Sequence, residues 1–192
     1  MRAHPSTEPP ADAVAPVRHP QAPAPGERML SHYRQCFGCG VDHPTGLHIL
    51  VVAGEGVTAD AEFTVTEHHQ GAPGLAHGGL LAAAFDEALG SLNWLLRTPA
   101  VTARLETDFV RPVPVDSTLY IHAEVLAVAD RKIYTRAQGR LGSVAGPVAV
   151  TAAALFVAVG LDHFSRYGRP ADVEAAHAAA AGGQVRSYEV NP

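Results

Sequence analysis

The stretch from Leu75 to Leu96, LAHGGLLAAAFDEALGSLNWLL, constrains this chain more than any other. It is long, rich in Ala and Leu and free of proline, so it predicts a helix. Apolar residues cover nearly all of its circumference. An exposed helix keeps a polar face, so this one is expected to be buried. The rest of the chain must supply its cover.

The flanking sequence has the period of strands rather than helices. Val57, Ala59, Ala61, Phe63 and Val65 alternate with Thr58, Asp60, Glu62, Thr64 and Thr66, the pattern of a half-buried strand. Before it, Leu47, Ile49 and Val51 alternate with His48 and Leu50, across a turn at Gly54-Glu55-Gly56 that suits a hairpin. After the helix, Val101, Ala103, Leu105 and Phe109 alternate with Thr102, Arg104, Glu106 and Asp108, and Arg111-Pro112-Val113-Pro114 ends the run. Leu119 to Val125 and Lys132 to Arg140 flank a turn at Ala129-Asp130-Arg131. Residues 147–159, PVAVTAAALFVAV, are apolar on both faces, as in a central strand. The order β-β-α-β-β-β-β predicts an α+β domain, an antiparallel sheet against one long helix. A sheet covers one side of such a helix. A second subunit is expected to cover the other, making a homo-oligomer.

Seven of the 15 prolines lie in the first 28 residues. Proline fixes φ and removes a donor, so residues 1–28 are read as a disordered tail ahead of a domain at 29–165. A C-terminal extension, 166–192, contains a possible short helix at 171–181. The formal charge of −5 disfavours nucleic acid as a partner. The longest apolar run, Pro147 to Leu161, falls short of the roughly 20 residues of a membrane span. No export signal is evident and there are two cysteines, so the cytoplasm is the expected compartment.

The residues with chemical potential fall into three groups. His77-Gly78-Gly79 lie where loop becomes helix, and Asp86 follows about two turns later. A helix start offers free N–H groups and partial positive charge, and glycine lets a ligand approach the backbone. That suits a carbonyl oxygen becoming negative. Asp86 sits in an apolar run, where burial raises its pKa and makes it a better base. Against this, Gly-Gly is often a tight turn, Asp-Glu often a solvated face, and a lone His often a cap. The second group, Cys36-Phe37-Gly38-Cys39, has the spacing of half a zinc site. No second CxxC exists, although His32, His43 and His48 are near in sequence; a turn packed on the domain is the preferred reading, and no metal is assigned. The third group is Asp130-Arg131-Lys132 with Arg111 and Arg104, cations able to meet phosphates in an acidic chain, or an ordinary solvated turn.

The segment HGGLLAAAFD, with an acid nine residues after the histidine, resembles the acyl-CoA thioesterases of the phenylacetate-degradation and thioesterase-superfamily-member type. VTARLETDFVRPVP, DRKIY and CFGCGVDHPTGLHI are similar to parts of the same family, over about residues 34–160. The resemblance implies the hotdog fold, with an antiparallel sheet wrapped around one long central helix. It implies acyl-CoA as substrate, no cofactor, and a dimer or tetramer. Asp86 matches the catalytic carboxylate, a general base or nucleophile, with the shorter acid favouring the base. Gly78, with Gly79, matches the donor that polarises the thioester carbonyl, and His77 the residue that orients that turn. Thr102 matches a Ser/Thr position that in relatives sits near the acid across a subunit interface. Arg131 and Lys132, beside Asp130, match a turn that binds coenzyme A phosphates or adenine. Asp108 and Arg111 complete the expected substrate-binding set. The alternatives are a non-catalytic acyl-CoA-binding module or sensor, and a hotdog dehydratase or hydratase, whose His-rich signature is not seen.

Overall fold

The computed structural model describes residues 6–183. In chain order its elements are β1 (Arg28–Met29), β2 (Leu50–Ala53), β3 (Thr58–Thr64), β4 (Gln70–Ala72) and β5 (Leu75–Ala76). Helix α1 (Gly78–Leu96) follows, then β6 (Ala100–Phe109), β7 (Thr118–Ala129), β8 (Lys132–Leu141), β9 (Val148–Ala158), α2 (Asp162–Tyr167) and α3 (Pro170–Ala181). Among the described residues no helix is long and apolar enough to cross a membrane.

Seven strands form one antiparallel sheet in the order β1-β2-β3-β7-β8-β9-β6. The alternation of β3 is realised in space: Ala59, Ala61 and Phe63 point into the core, while Asp60, Glu62 and Thr64 face outward. The sheet curls around α1. Phe85, Leu89, Leu92 and Leu95 of the helix are fully buried, against strand residues that include Phe63, Ile121 and Phe156. At about 25 cal/mol per Å² of apolar surface, this interlock is the main favourable term in folding. Gly139 is needed for it, because a β-carbon there would fall 2.6 Å from the Phe85 ring.

Helix α1 starts later than composition suggests, because Leu75–Ala76 pair with β4 in a two-stranded ribbon. His77 caps the helix: its Nδ1 accepts from the Gly79 N–H at 2.9 Å. At the other end Arg97 takes a left-handed φ of 50°, its guanidinium stacks on Trp94, and Pro99 follows. Between β7 and β8, Asp130 supplies a φ of 53°, a conformation aspartate tolerates in tight turns.

The structure corrects one expectation and bears on another. First, the proline-rich segment is not a disordered tail over residues 6–27. It forms no helix or regular strand, as proline dictates, but it is tied to the domain. Thr7 donates to Glu106 of β6 at 2.8 Å. Val14 exchanges backbone hydrogen bonds with Val128 of β7, both 2.9 Å. The His19 N–H reaches the Leu95 carbonyl at 2.9 Å. The Arg18 guanidinium clasps the β2–β3 turn by donating to the Gly54 and Gly56 carbonyls, each at 2.7 Å, and to that of Pro23. Fixed φ values lower the entropy such a strap loses on docking. Residues 1–5 of the expected tail, and 184–192 of the extension, lie outside the described residues.

Second, the flank of the helix at Glu87 is covered in part by the chain itself. Residues 36–40 pack over Glu87, and a β-carbon at Gly38 would collide with the Glu87 carboxylate. Ala22 of the N-terminal segment also joins the core.

If the strap is structural, Arg18→Ala should lower unfolding stability by about 1–3 kcal/mol, the range for hydrogen bonds to a charged donor. Urea denaturation checks this; a midpoint equal to wild type would mean that the segment contributes nothing.

Candidate active site

The site is built where β6 runs back along α1. Asp86 lies in the middle of the helix, half-buried between Phe85 and the apolar residues on either side. Its carboxylate is not left bare: Thr102 Oγ1 donates to Asp86 Oδ1 at 2.9 Å. Burial pushes the Asp86 carboxyl up from its ordinary value, and the Thr102 hydrogen bond partly offsets this. Thr102 is exposed near the start of β6, so the carboxylate is reachable from the sheet edge.

At the N-terminus of α1 the two glycines are not equivalent. The Gly79 N–H is committed to His77, whereas the Gly78 N–H has no protein acceptor among the described residues. Gly78 therefore presents the available backbone donor at the positive end of the helix dipole. Beside it lies a residue the sequence reading passed over as a strand alternator. The Phe109 ring packs 3.4 Å from where a Gly78 β-carbon would be, and Phe109 remains 53% exposed. Nothing in the local sequence marks this contact, because strand β6 separates it from the helix start by the whole length of α1.

The residues expected to form one site are separated into two groups within a chain. Gly78 and Asp86 are about 12 Å apart along the helix axis, at 1.5 Å per residue. Asp86, Thr102 and the basic turn share one end of the sheet. Thr102 pairs with Phe156, which pairs with Ile133, the neighbour of Lys132. Asp130, Arg131 and Lys132 are exposed at that hairpin tip. His77, Gly78 and Gly79 share the other end with Asp108 and Arg111, both exposed. From Val101 to Asp108, β6 spans about 23 Å at ~3.3 Å per residue.

A second cluster lies on the far flank of the same helix turn. His32, Cys36, Cys39 and Glu87 bring one donor atom each to within 4.8 Å of one another. Cys39 Sγ lies 3.4 Å from His32 Nδ1, and Cys36 Sγ 3.5 Å from Glu87 Oε2. The thiols also share a hydrogen bond, which draws Cys36 below its ordinary pKa and pushes Cys39 above it. Sequence spacing shows the first three residues; Glu87 comes from 51 positions after Cys36. His43 and His48 are not in this cluster.

The thioesterase superfamily model matches residues 73–145, from the loop before α1 through β8. The acyl-coenzyme A thioesterase THEM4 of Bos taurus is 40% identical over 65 residues, which is 34% of this chain and 26% of that protein. The chain thus matches about a quarter of the length of this curated relative. Among solved structures, the thioesterase superfamily protein RHA08564 is 28% identical with a TM-score of 0.58, covering 71% of this chain and 70% of that one. The PaaI protein of the E. coli phenylacetic acid degradation operon has a TM-score of 0.55 at 20% identity, covering 59% and 81%. The antiparallel sheet curled around one long helix is the hotdog fold of these thioesterase structures, and the stretch from the loop before α1 through β8 is similar to the thioesterase superfamily.

Proposed function

We propose that this protein hydrolyses acyl-CoA thioesters to a free acid and coenzyme A. The observation that carries the reading is the Asp86 carboxylate, held by Thr102 at 2.9 Å in a largely apolar helix and open to the sheet edge. A buried charge is costly unless it is used or paired, and here one neutral hydrogen bond is its pairing. Asp86 accepts a proton from water as the water oxygen bonds to the thioester carbon. The Gly78 N–H receives the carbonyl oxygen as it becomes negative. The carbonyl then re-forms as the C–S bond breaks; coenzyme A leaves readily as a thiolate because its thiol pKa is about 8.5, and it takes the proton that Asp86 holds. Thr102 is a positioning residue, and His77 holds the Gly78-Gly79 turn in shape.

The geometry favours a site shared between chains. Water and carbonyl oxygen must lie about 3 Å apart on one carbon, whereas Gly78 and Asp86 of one chain are about 12 Å apart along the axis. Gly78 of one subunit meeting Asp86 of another removes the conflict. Strand β6 is suited to that pairing: it is the sheet edge, ten residues long, and both Phe109 and Val110 are more than half exposed. Such an edge is a ready template for a second chain. Across a pair of chains, the Arg131-Lys132 turn and Arg111 supply cations for the coenzyme phosphates, with Asp130 setting the turn and Asp108 and Gly79 bordering the site.

Three outcomes check this. Asp86→Asn should lower kcat by about 10²–10⁴-fold across a panel of short, long and aromatic acyl-CoA substrates, read by thiol release, with the fold intact by circular dichroism. Acyl-CoA binding without turnover in the wild type would instead make the protein a binding module. Thr102→Ser should retain most of the activity that Thr102→Ala loses, because only the hydroxyl is used. Sedimentation should give two or four times the 20.1 kDa chain mass; an active monomer would reject the shared site.

A further inference from the structure

We infer that His32, Cys36, Cys39 and Glu87 form a structural zinc site that fastens the N-terminal lead-in to helix α1 beside Asp86. The donor set is that of zinc: two sulfurs, one imidazole nitrogen and one carboxylate oxygen. The spacing is also that of zinc. With Zn–S near 2.3 Å and Zn–N or Zn–O near 2.0–2.2 Å, the edges of a tetrahedral site are about 3.5 Å. The two edges seen, Cys39 to His32 at 3.4 Å and Cys36 to Glu87 at 3.5 Å, have that length.

The backbone is shaped for this convergence. The Gly40 N–H donates to the Cys36 carbonyl at 2.8 Å, closing the CxxC loop so that both thiols face one way. A β-carbon at Gly40 would collide with the backbone of Cys36 and Arg34, and one at Gly38 with the Glu87 carboxylate. Only glycine lets the loop lie on the helix closely enough for Glu87 to reach the sulfurs. Ser31 Oγ lies 3.4 Å from Cys39 Sγ and donates to the Tyr33 carbonyl at 2.8 Å, which ties the lead-in beside the cluster.

Four protein ligands complete a tetrahedron and leave no position for water, so the site holds structure rather than performing hydrolysis. It joins the lead-in, which covers one flank of the helix, to the residue next to Asp86 in the chain. Zinc takes the two sulfurs as thiolates, so its binding releases their protons.

The test uses the full chain without a polyhistidine tag, purified under reducing conditions. Mass spectrometry of the metal content should give close to one zinc per chain. After removal by a chelator, zinc should rebind at one equivalent and raise the thermal midpoint. Cobalt should give the visible and thiolate charge-transfer bands of a tetrahedral sulfur site. Cys36→Ser with Cys39→Ser should weaken zinc by more than the ~10–100-fold that loss of an outer-shell partner costs. Glu87→Gln should keep the sulfur-to-cobalt bands but bind zinc less tightly. A stripped wild type that takes up no zinc, or equal uptake by the folded double variant, would overturn the site. If the double variant does not fold, the cobalt spectrum of the wild type decides, and an absence of thiolate bands rejects the inference. A Cys36–Cys39 disulfide in the freshly isolated reduced protein would reject it too.

Discussion

Burial of a 19-residue apolar helix inside a curled antiparallel sheet is the constraint on which everything else depends. A helix with no polar face cannot rest on a flat sheet, because half of its surface would meet water. The sheet therefore curls, and the strands place Phe63, Ile121 and Phe156 around Phe85, Leu89 and Leu92. Once the helix is locked in rotation, its two acids have assigned directions. Asp86 faces the edge strand β6 and Thr102, while Glu87 faces the lead-in and its cysteines. Two adjacent residues thus serve two different surroundings because consecutive helical positions point about 100° apart.

The same locking explains the division of labour along the helix. Its first turn offers Gly78 to solvent at the dipole's positive end, with Phe109 as a wall. Its middle holds a carboxylate whose pKa burial has raised. The proposed hydrolysis uses them as a donor for oxygen and an acceptor for a proton, and the rigid helix keeps them about 12 Å apart. Under the proposed mechanism, a rigid spacing of that size serves a reaction at one carbon only when two helices meet.

The N-terminal segments add an outer layer to this core. Residues 6–27 run from β6 past β7 to the end of α1 and the β2–β3 turn, held by Thr7, Val14, Arg18 and His19. Residues 36–40 then cap the flank at Glu87. Both segments lack regular structure and have backbone groups that need partners. They find them on the domain, which is why a chain rich in proline and glycine at its start is still fixed there.

What the sequence by itself determined was the periodic part. The apolar run of α1 and the alternations of β3 and β7 are local patterns, and local patterns carry the α+β architecture and the apolar setting of Asp86. The resemblance of HGGLLAAAFD to hotdog thioesterases rests on the same contiguous residues. What only the tertiary structure decided were contacts between distant positions. Thr102 on Asp86, Phe109 on Gly78, Glu87 beside Cys36 and Arg18 on the β2–β3 turn all bridge segments that share no local period. The proline-rich start was misread for that reason. Composition reports what a segment cannot form by itself, and it is silent on the hydrogen-bonding partners that a finished sheet and helix offer it.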